Sequence, residues 1–368
     1  MTTMLAARLH EIGKSMQLEQ IPVPTPRPTD VLVQVKACNL VPNLKNVLAT
    51  YAEWFPYLPL PGLPAIFGLD SAGVISQVGS MVTDVNVGDR VYVNPGLSCG
   101  GCRACRRGED QNCPAYTFMG YFGFGPDAQQ LFDAYPYGGL AEYLTAPQRN
   151  LVKLPDSVSF EQGARFGYLG TAFSALLKAG AGPGRTVLID GISGTLGLGG
   201  CLIALGLGVT RILGTGRNAA LLDDVKAIAP GRIDVLPITT RPLREWALEQ
   251  TGGEGADILI DALGPGAPAE SMLEAIATLR RGGTAVDIGG MMERPGLDLF
   301  AMMCAQISVI GSLWFSTGEA QDMAALAGVG ALDLSHLEHH TFPLSQVNEA
   351  LDNIPERHGG FTNFICQP

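Results

Sequence analysis

Four cysteines, Cys99, Cys102, Cys105 and Cys113, crowd into one 15-residue stretch, while the remaining four of the eight are scattered. Four thiolates spaced in this way suit a tetrahedral zinc ion at about 2.3 Å each, and a four-sulfur site leaves no position open for a substrate. The chemistry expected of this loop is therefore structural. Arg103, Arg106 and Arg107 lie within it and offset the negative charge of zinc plus four thiolates. The spacing and a reducing compartment oppose disulfides, and iron–sulfur loops are spaced differently.

A second run points to nucleotide chemistry. Gly191-Ile192-Ser193-Gly194-Thr195-Leu196-Gly197 follows an apolar stretch ending at Asp190 and opens an apolar helix pattern. Glycines there let the backbone turn sharply and approach a pyrophosphate seated on the helix N-terminus. In a chain with 47 glycines the run alone says little, and its place between strand and helix gives it weight. The next strand ends Gly214-Thr215-Gly216-Arg217-Asn218. An NAD site places a carboxylate about there to accept from the ribose 2′-hydroxyl. None is present, and Arg217 can pair with a 2′-phosphate. NADP(H) is the expected cofactor, with Leu263, Ile288 and Gly289 at the ends of later strands completing its contacts.

These groups need elements to hold them. Up to about residue 150 the chain is β-rich: Val31-Leu32-Val33-Gln34-Val35 and Asp89-Arg90-Val91-Tyr92-Val93 are short runs among prolines and glycines. From about 160 the pattern alternates. A helix is expected over Glu161–Ala179, a buried strand at 186–190, a helix over Leu196–Gly206, a strand at 211–214 and a helix over Ala219–Ala229. Strands at 257–261 and 284–288 flank a helix over Ala269–Arg280. Near-continuous apolar strands alternating with helices imply a parallel, doubly wound sheet, so the class is α/β.

Length and composition bound the rest. The 368 residues exceed one typical core, and 46% hydrophobic content is ample to bury two. A formal charge of −11, with no run among the 24 Lys and Arg, argues against nucleic acid or an anionic membrane as partner. No apolar run reaches the ~18–20 residues of a membrane span. The Met1–Arg8 segment lacks the layout of a secretory signal, so a cytoplasmic location is expected.

Together these features resemble the medium-chain dehydrogenase/reductase superfamily, which includes zinc alcohol dehydrogenases and quinone oxidoreductases. The resemblance is carried by Gly68-Leu69-Asp70-Ser71-Ala72-Gly73-Val74, Val87-Gly88-Asp89-Arg90-Val91, the four-cysteine lobe, Gly138-Gly139-Leu140-Ala141-Glu142-Tyr143 and the glycine-rich loop. It implies a GroES-like, β-rich catalytic domain over 1–165 with the zinc lobe at 95–115, a Rossmann domain over 166–305, and a return to the first domain over 306–368. The active site would lie in the cleft between them. It also implies a homodimer or homotetramer, with Ile307-Ser308-Val309-Ile310-Gly311 as an interface strand.

The chain departs from the zinc branch of that family. Cys38 matches the first catalytic-zinc ligand, but Leu69 stands where the motif has His, Asp70 where it has Glu, and Gly167 where a second Cys is expected. Cys38 and Asp70 alone are too few for a tight site. The five histidines, His10, His336, His339, His340 and His358, are remote in sequence. Leu40 and Asn43 replace the usual proton-passing groups.

Aromatic residues concentrate in two stretches: Tyr51, Trp54, Phe55 and Tyr57, and then Tyr116, Phe118, Tyr121, Phe122, Phe124, Phe132, Tyr135 and Tyr137. The family match puts both near the cleft and suggests a hydrophobic or aromatic substrate. Hydride addition to a conjugated C=C, or to an activated carbonyl, needs no Lewis acid because the developing charge is delocalised. Nicotinamide is expected near Ile288-Gly289 and Thr171. Cys38, Tyr51, Asp70 and Thr171 are the candidate catalytic residues, with Tyr57 and Tyr121 as further oxygen donors. The alternatives are a zinc alcohol dehydrogenase that recruits metal through Cys38, Asp70 and another group, and an NADPH-binding protein without turnover.

Overall fold

The computed structural model describes residues 2–54 and 57–368, and of residues 51–54 the backbone alone. The side chains of Tyr51, Trp54 and Phe55 therefore lie outside the described residues. The first domain runs through β1 (Thr3–Leu9), β2 (Gln17–Pro22), β3 (Asp30–Asn39), β4 (Ala65–Ile66), β5 (Asp70–Val78) and β6 (Arg90–Val93). The short antiparallel pair β7 (Gly96–Leu97) and β8 (Thr117–Phe118) brackets the cysteine lobe, and β9 (Tyr143–Pro147) and β10 (Leu151–Lys153) follow. β3 organises this domain. Buried at nearly every position, it pairs antiparallel with β5 and β9.

A capping box at Ser159 and Gln162 starts a one-turn helix, Phe160–Gly163. A second helix, Phe166–Lys178, then crosses to the other domain. The single helix expected over Glu161–Ala179 is broken at Ala164 and Arg165, because Arg165 turns inward. Its buried guanidinium donates to Gly360 O at 2.8 Å and Phe361 O at 3.4 Å.

The second domain is a six-stranded sheet. Its strands are β11 (Thr186–Asp190), β12 (Arg211–Gly216), β13 (Ile233–Pro237), β14 (Ala256–Asp261), β15 (Leu279–Asp287) and β16 (Ser308–Gly311). All pair in parallel, in the order β13-β12-β11-β14-β15-β16. This is the doubly wound arrangement, with its switch between β11 and β14. The helix Thr195–Gly206 is apolar all round and buried along most of its length, as a helix sandwiched between layers must be. β13 and the helix Leu243–Gln250 were not legible, since β13 is a half-exposed edge strand. The helix after β14 stops at Ile276 rather than Arg280. Thr278 bonds back to Ala275 O at 2.7 Å, and Leu279 already belongs to β15.

The return expected at 306 comes later. Ser308–Gly311 pairs with β15 as the sixth parallel strand, so the second domain continues through it. The chain then re-enters the first domain through the helix Thr317–Gly328, β17 (Glu338–Pro343) and β18 (Thr362–Gln367). β18 lies antiparallel to β3 and parallel to β17. Among the described residues no helix is long and apolar enough to cross a membrane.

Candidate functional site

The glycine-rich loop sits at the C-terminal end of β11, beside the switch point. Gly191 takes a left-handed φ of 80°, and Gly194 N bonds back to Gly191 O at 3.0 Å. A Cβ at Gly197 would overlap Gly191 O, so the helix can approach the turn this closely only with glycine there. The first helical bond runs from Leu198 N to Gly194 O, at 2.8 Å. The preceding amides of Thr195, Leu196 and Gly197 are the orphan donors of a helix N-terminus. Thr195 Oγ1 is buried without a hydrogen-bond partner among the described residues. A turn tightened by glycine, free amides and an orphaned hydroxyl fit a pyrophosphate.

The other expected cofactor residues surround this loop in different ways. Thr215 is fully buried. Its hydroxyl donates to Asp190 while its carbonyl accepts from Ile192 N at 2.9 Å, so it holds the loop from below. Gly216 brings the end of β12 against Ser193, where a Cβ would stand 3.1 Å from Ser193 Oγ. Asn218 caps the helix Ala219–Ile228, accepting from Leu221 N at 3.3 Å. Arg217 is exposed and makes no hydrogen bond or ion pair with any described residue. Across the switch, Leu263 N donates to Asp261 Oδ1 at 3.0 Å and Gly289 N to Asp287 Oδ1 at 2.9 Å. Ile288 is buried beside them. Asp190, Asp261 and Asp287 are register partners on three adjacent strands. Burial, with Asp190 and Asp287 alongside, pushes the Asp261 carboxyl up to about 7.

In the cysteine lobe the four Sγ atoms lie within 4.8 Å of one another, with Cys102 and Cys105 at 3.5 Å and Cys99 and Cys105 at 4.0 Å. Sulfurs around a tetrahedral zinc ion stand roughly 3.8 Å apart, so the cluster fits that ion. Cys113 is buried and Cys99 exposed, which sets the cluster at the domain surface. Arg103, Arg106 and Arg107 point to solvent. Arg149, outside the sequence expectation, ties the lobe down through Ser98 O at 2.7 Å.

The third locus is the buried ends of β3 and β5 around Cys38 and Asp70. Asp70 is fully buried, and its Oδ1 accepts from Tyr92 Oη at 2.8 Å. Its Oδ2 has no hydrogen-bond partner among the described residues. Burial pushes this carboxyl up to about 7, against the pull of Tyr92 and the charge of Arg165. A Cβ at Gly167 would overlap both carboxylate oxygens. Cys38, one register step from Asp70, has its Sγ where it would stand 2.8 Å from a Cβ at Gly68 and 2.9 Å from one at Gly139. Burial raises this thiol well above its usual range. The Thr171 hydroxyl is committed to Gly167 O at 2.8 Å. Leu69 is buried.

Comparisons with known proteins agree with this fold. Residues 27–156 match the alcohol dehydrogenase GroES-like domain, and 195–328 match the zinc-binding dehydrogenase domain. The D-xylulose reductase A of Aspergillus niger is 30% identical over 298 residues, which cover 79% of this chain and 77% of the relative. The chain belongs to the medium-chain dehydrogenase/reductase superfamily. A solved NAD-dependent alcohol dehydrogenase superposes with a TM-score of 0.81 at 27% identity, covering 99% of this chain and 100% of that one. A zinc-binding dehydrogenase from Sinorhizobium meliloti 1021, solved with NADP, gives 0.83 at 22% identity over 100% of both chains and shows the shared fold. The chain is thus an oxidoreductase with a GroES-like domain and a Rossmann sheet.

Within this dehydrogenase/reductase the aromatic stretches divide. Tyr116, Phe118, Tyr121 and Phe132 are buried, and Phe118 packs on Trp314 with centroids 4.5 Å apart. The segment 122–136 is tied down by Gly123 N to Pro59 O at 2.8 Å, Arg27 Nη2 to Ala134 O at 2.9 Å, and Tyr135 Oη to Asp30 Oδ1 at 3.1 Å. Tyr57 is exposed. Sequence reasoning missed Tyr92, Arg165 and Asn94. Asn94 Oδ1 accepts from Trp314 Nε1 at 2.8 Å, on the connection between β16 and the helix Thr317–Gly328. No local motif marks these three, because their partners are distant in the chain.

Proposed function

We propose that this chain is an NADPH-dependent reductase. It delivers hydride to an activated C=C, as in an enone or quinone, or to an activated carbonyl of a hydrophobic substrate, with no metal ion at the reacting oxygen. The observation that carries the reading is the Asp70 carboxyl seated against Gly167, where the family's zinc branch has a cysteine. Leu69 and Gly167 offer no ligand atom, and the Cys38 thiol is wedged between Gly68 and Gly139. Stabilising charge on oxygen then falls to hydrogen bonds, which suffices when the charge is spread over an enolate. Backbone amides or a tyrosine hydroxyl hold that oxygen, and solvent returns the proton. Bound NADPH supplies the hydride. The loop 191–197 orients its pyrophosphate, and the unpaired Arg217 favours its 2′-phosphate over NADH. Cys99, Cys102, Cys105 and Cys113 would hold one structural zinc ion.

The net charge of −11 supports a protein without nucleic-acid or membrane partners, and a cytoplasmic location fits it. A homodimer or homotetramer is supported by the exposed apolar side chains of Leu299, Phe300 and Met303. The test is a panel of enones and quinones with NADPH, run with zinc analysis of the purified protein. NADPH oxidation with about one zinc per subunit supports the reading. Reduction of NADP⁺ by alcohols, with the panel inert, sinks it.

The relatives favour a second reading. D-xylulose reductases and alcohol dehydrogenases act on simple carbonyls or alcohols, and an enzyme of that kind would hold a second zinc ion. About two zinc ions per subunit would put this reading first.

A further inference from the structure

The segment 357–361 lies across the glycine-rich loop although it belongs to the first domain. Gly360 N donates to Ser193 O at 2.8 Å. A Cβ at Gly360 would overlap Gly194 O, and one at Gly359 would stand 2.7 Å from Ser193 O. Gly359 also takes a left-handed φ of 53°. Two backbones therefore meet more closely than any side chain allows, and the contact falls on the turn expected to cradle the pyrophosphate.

The segment is held from three sides. Below it the buried Arg165 donates to Gly360 O at 2.8 Å and to Phe361 O at 3.4 Å. Within it Arg357 Nε donates to Gly359 O at 3.1 Å. Beyond it His358 Nε2 meets Asp224 Oδ2 at 3.1 Å on the helix that follows β12. Among the described residues this is the one contact between a basic and an acidic side chain that joins the first domain to the Rossmann sheet's helices.

We propose that 357–361 is a positioning strap for the dinucleotide: Gly359 and Gly360 let it seat on Ser193 and Gly194, and it fixes the loop whose amides receive the phosphates. Fixing the Ser193 carbonyl leaves the Thr195, Leu196 and Gly197 amides turned toward the crevice, without the entropy of ordering the turn when the ligand arrives. The strap also ties cofactor binding to the relative position of the domains, since Arg165 sits where the chain crosses between them. The inference rests on dinucleotide binding by the loop and not on the identity of the substrate.

Gly360→Ala tests it. NADPH affinity, read by fluorescence, should fall about tenfold, the equivalent of one lost hydrogen bond. KM for NADPH should rise by a similar factor while kcat holds. Unchanged affinity, or a loss confined to kcat, overturns the proposal. If this variant does not fold, amide exchange on the natural protein decides: NADPH should slow exchange across 357–361 together with 191–197. Protection of the loop without the strap overturns the proposal. Should NADH prove the better ligand, the same protection with NADH supports the strap while the cofactor preference proposed above fails. Inertness toward enones with protection intact likewise supports the strap and sinks only the reductase reading.

Discussion

The Asp70 carboxylate occupies the place where a side chain at Gly167 would begin. These residues lie on different elements, β5 and the helix Phe166–Lys178, and each determines what the other can be. Gly167→Ala should force the carboxyl away from Tyr92 and cost roughly 1–3 kcal/mol, the usual range for overpacking a filled core. Urea unfolding of the variant measures this. A stability equal to the parent would mean that the carboxyl has room to move.

Asp70 and Asp261 both sit near 7 through burial. A carboxyl whose folded value is raised adds stability that is complete below about pH 4 and lost as pH rises to about 7. The melting temperature should therefore climb as pH falls from 8 toward 5. In Asp70→Asn, which keeps an acceptor for Tyr92, the slope should be shallower. An identical slope would show that Asp70 ionises without penalty.

The cysteine lobe should carry about one zinc ion per subunit. Cys113→Ser removes its most buried ligand and should release the metal. The expected cost is a few kcal/mol of stability, of the order of losing a cross-link. Elemental analysis and calorimetry on the same preparation check this, and retained zinc would redirect attention to another ligand set.

Arg217 is exposed and has no partner, so Arg217→Ala should leave the melting temperature unchanged. KM for NADPH should rise about ten- to a hundredfold with KM for NADH nearly constant, as expected for a lost charge-assisted contact worth ~1.5–3 kcal/mol. Parallel changes in both constants would separate Arg217 from the 2′-phosphate.

Leu299, Phe300 and Met303 are each more than 60% exposed. An exposed apolar patch of this kind marks an association surface. Phe300→Glu should shift the mass measured by light scattering to that of a single subunit. An unaltered oligomer would place the interface elsewhere.

Legibility in the sequence followed locality. The glycine-rich loop, the cysteine lobe and the buried strands of the parallel sheet carry their reasons within a few residues, and they could be read directly. The half-exposed β13 was missed because its five residues lack a clear period. The break at Arg165 was missed because its cause, two carbonyls at 360 and 361, lies far along the chain. Thr171 and Thr215 donate their hydroxyl protons to Gly167 O and Asp190, which residue type alone did not reveal. Hydrogen-bond commitment of that kind depends on backbone geometry, which residue type does not encode.

The pairing of β18 with β3 also governs how the chain can be made. Asn363 and Asn39 share a hydrogen bond across 324 positions. At a synthesis rate of ~5–20 residues per second, β3 would wait roughly 15–60 s for that neighbour to leave the ribosome. During that interval only the Cys38–Asn39 end of β3 waits for its neighbour, since β9 already covers Asp30–Gln34, while the Rossmann sheet, whose strands are contiguous in the chain, can already close. Any misassociation of newborn chains at this sheet would thus centre on that short gap in the half that was translated first.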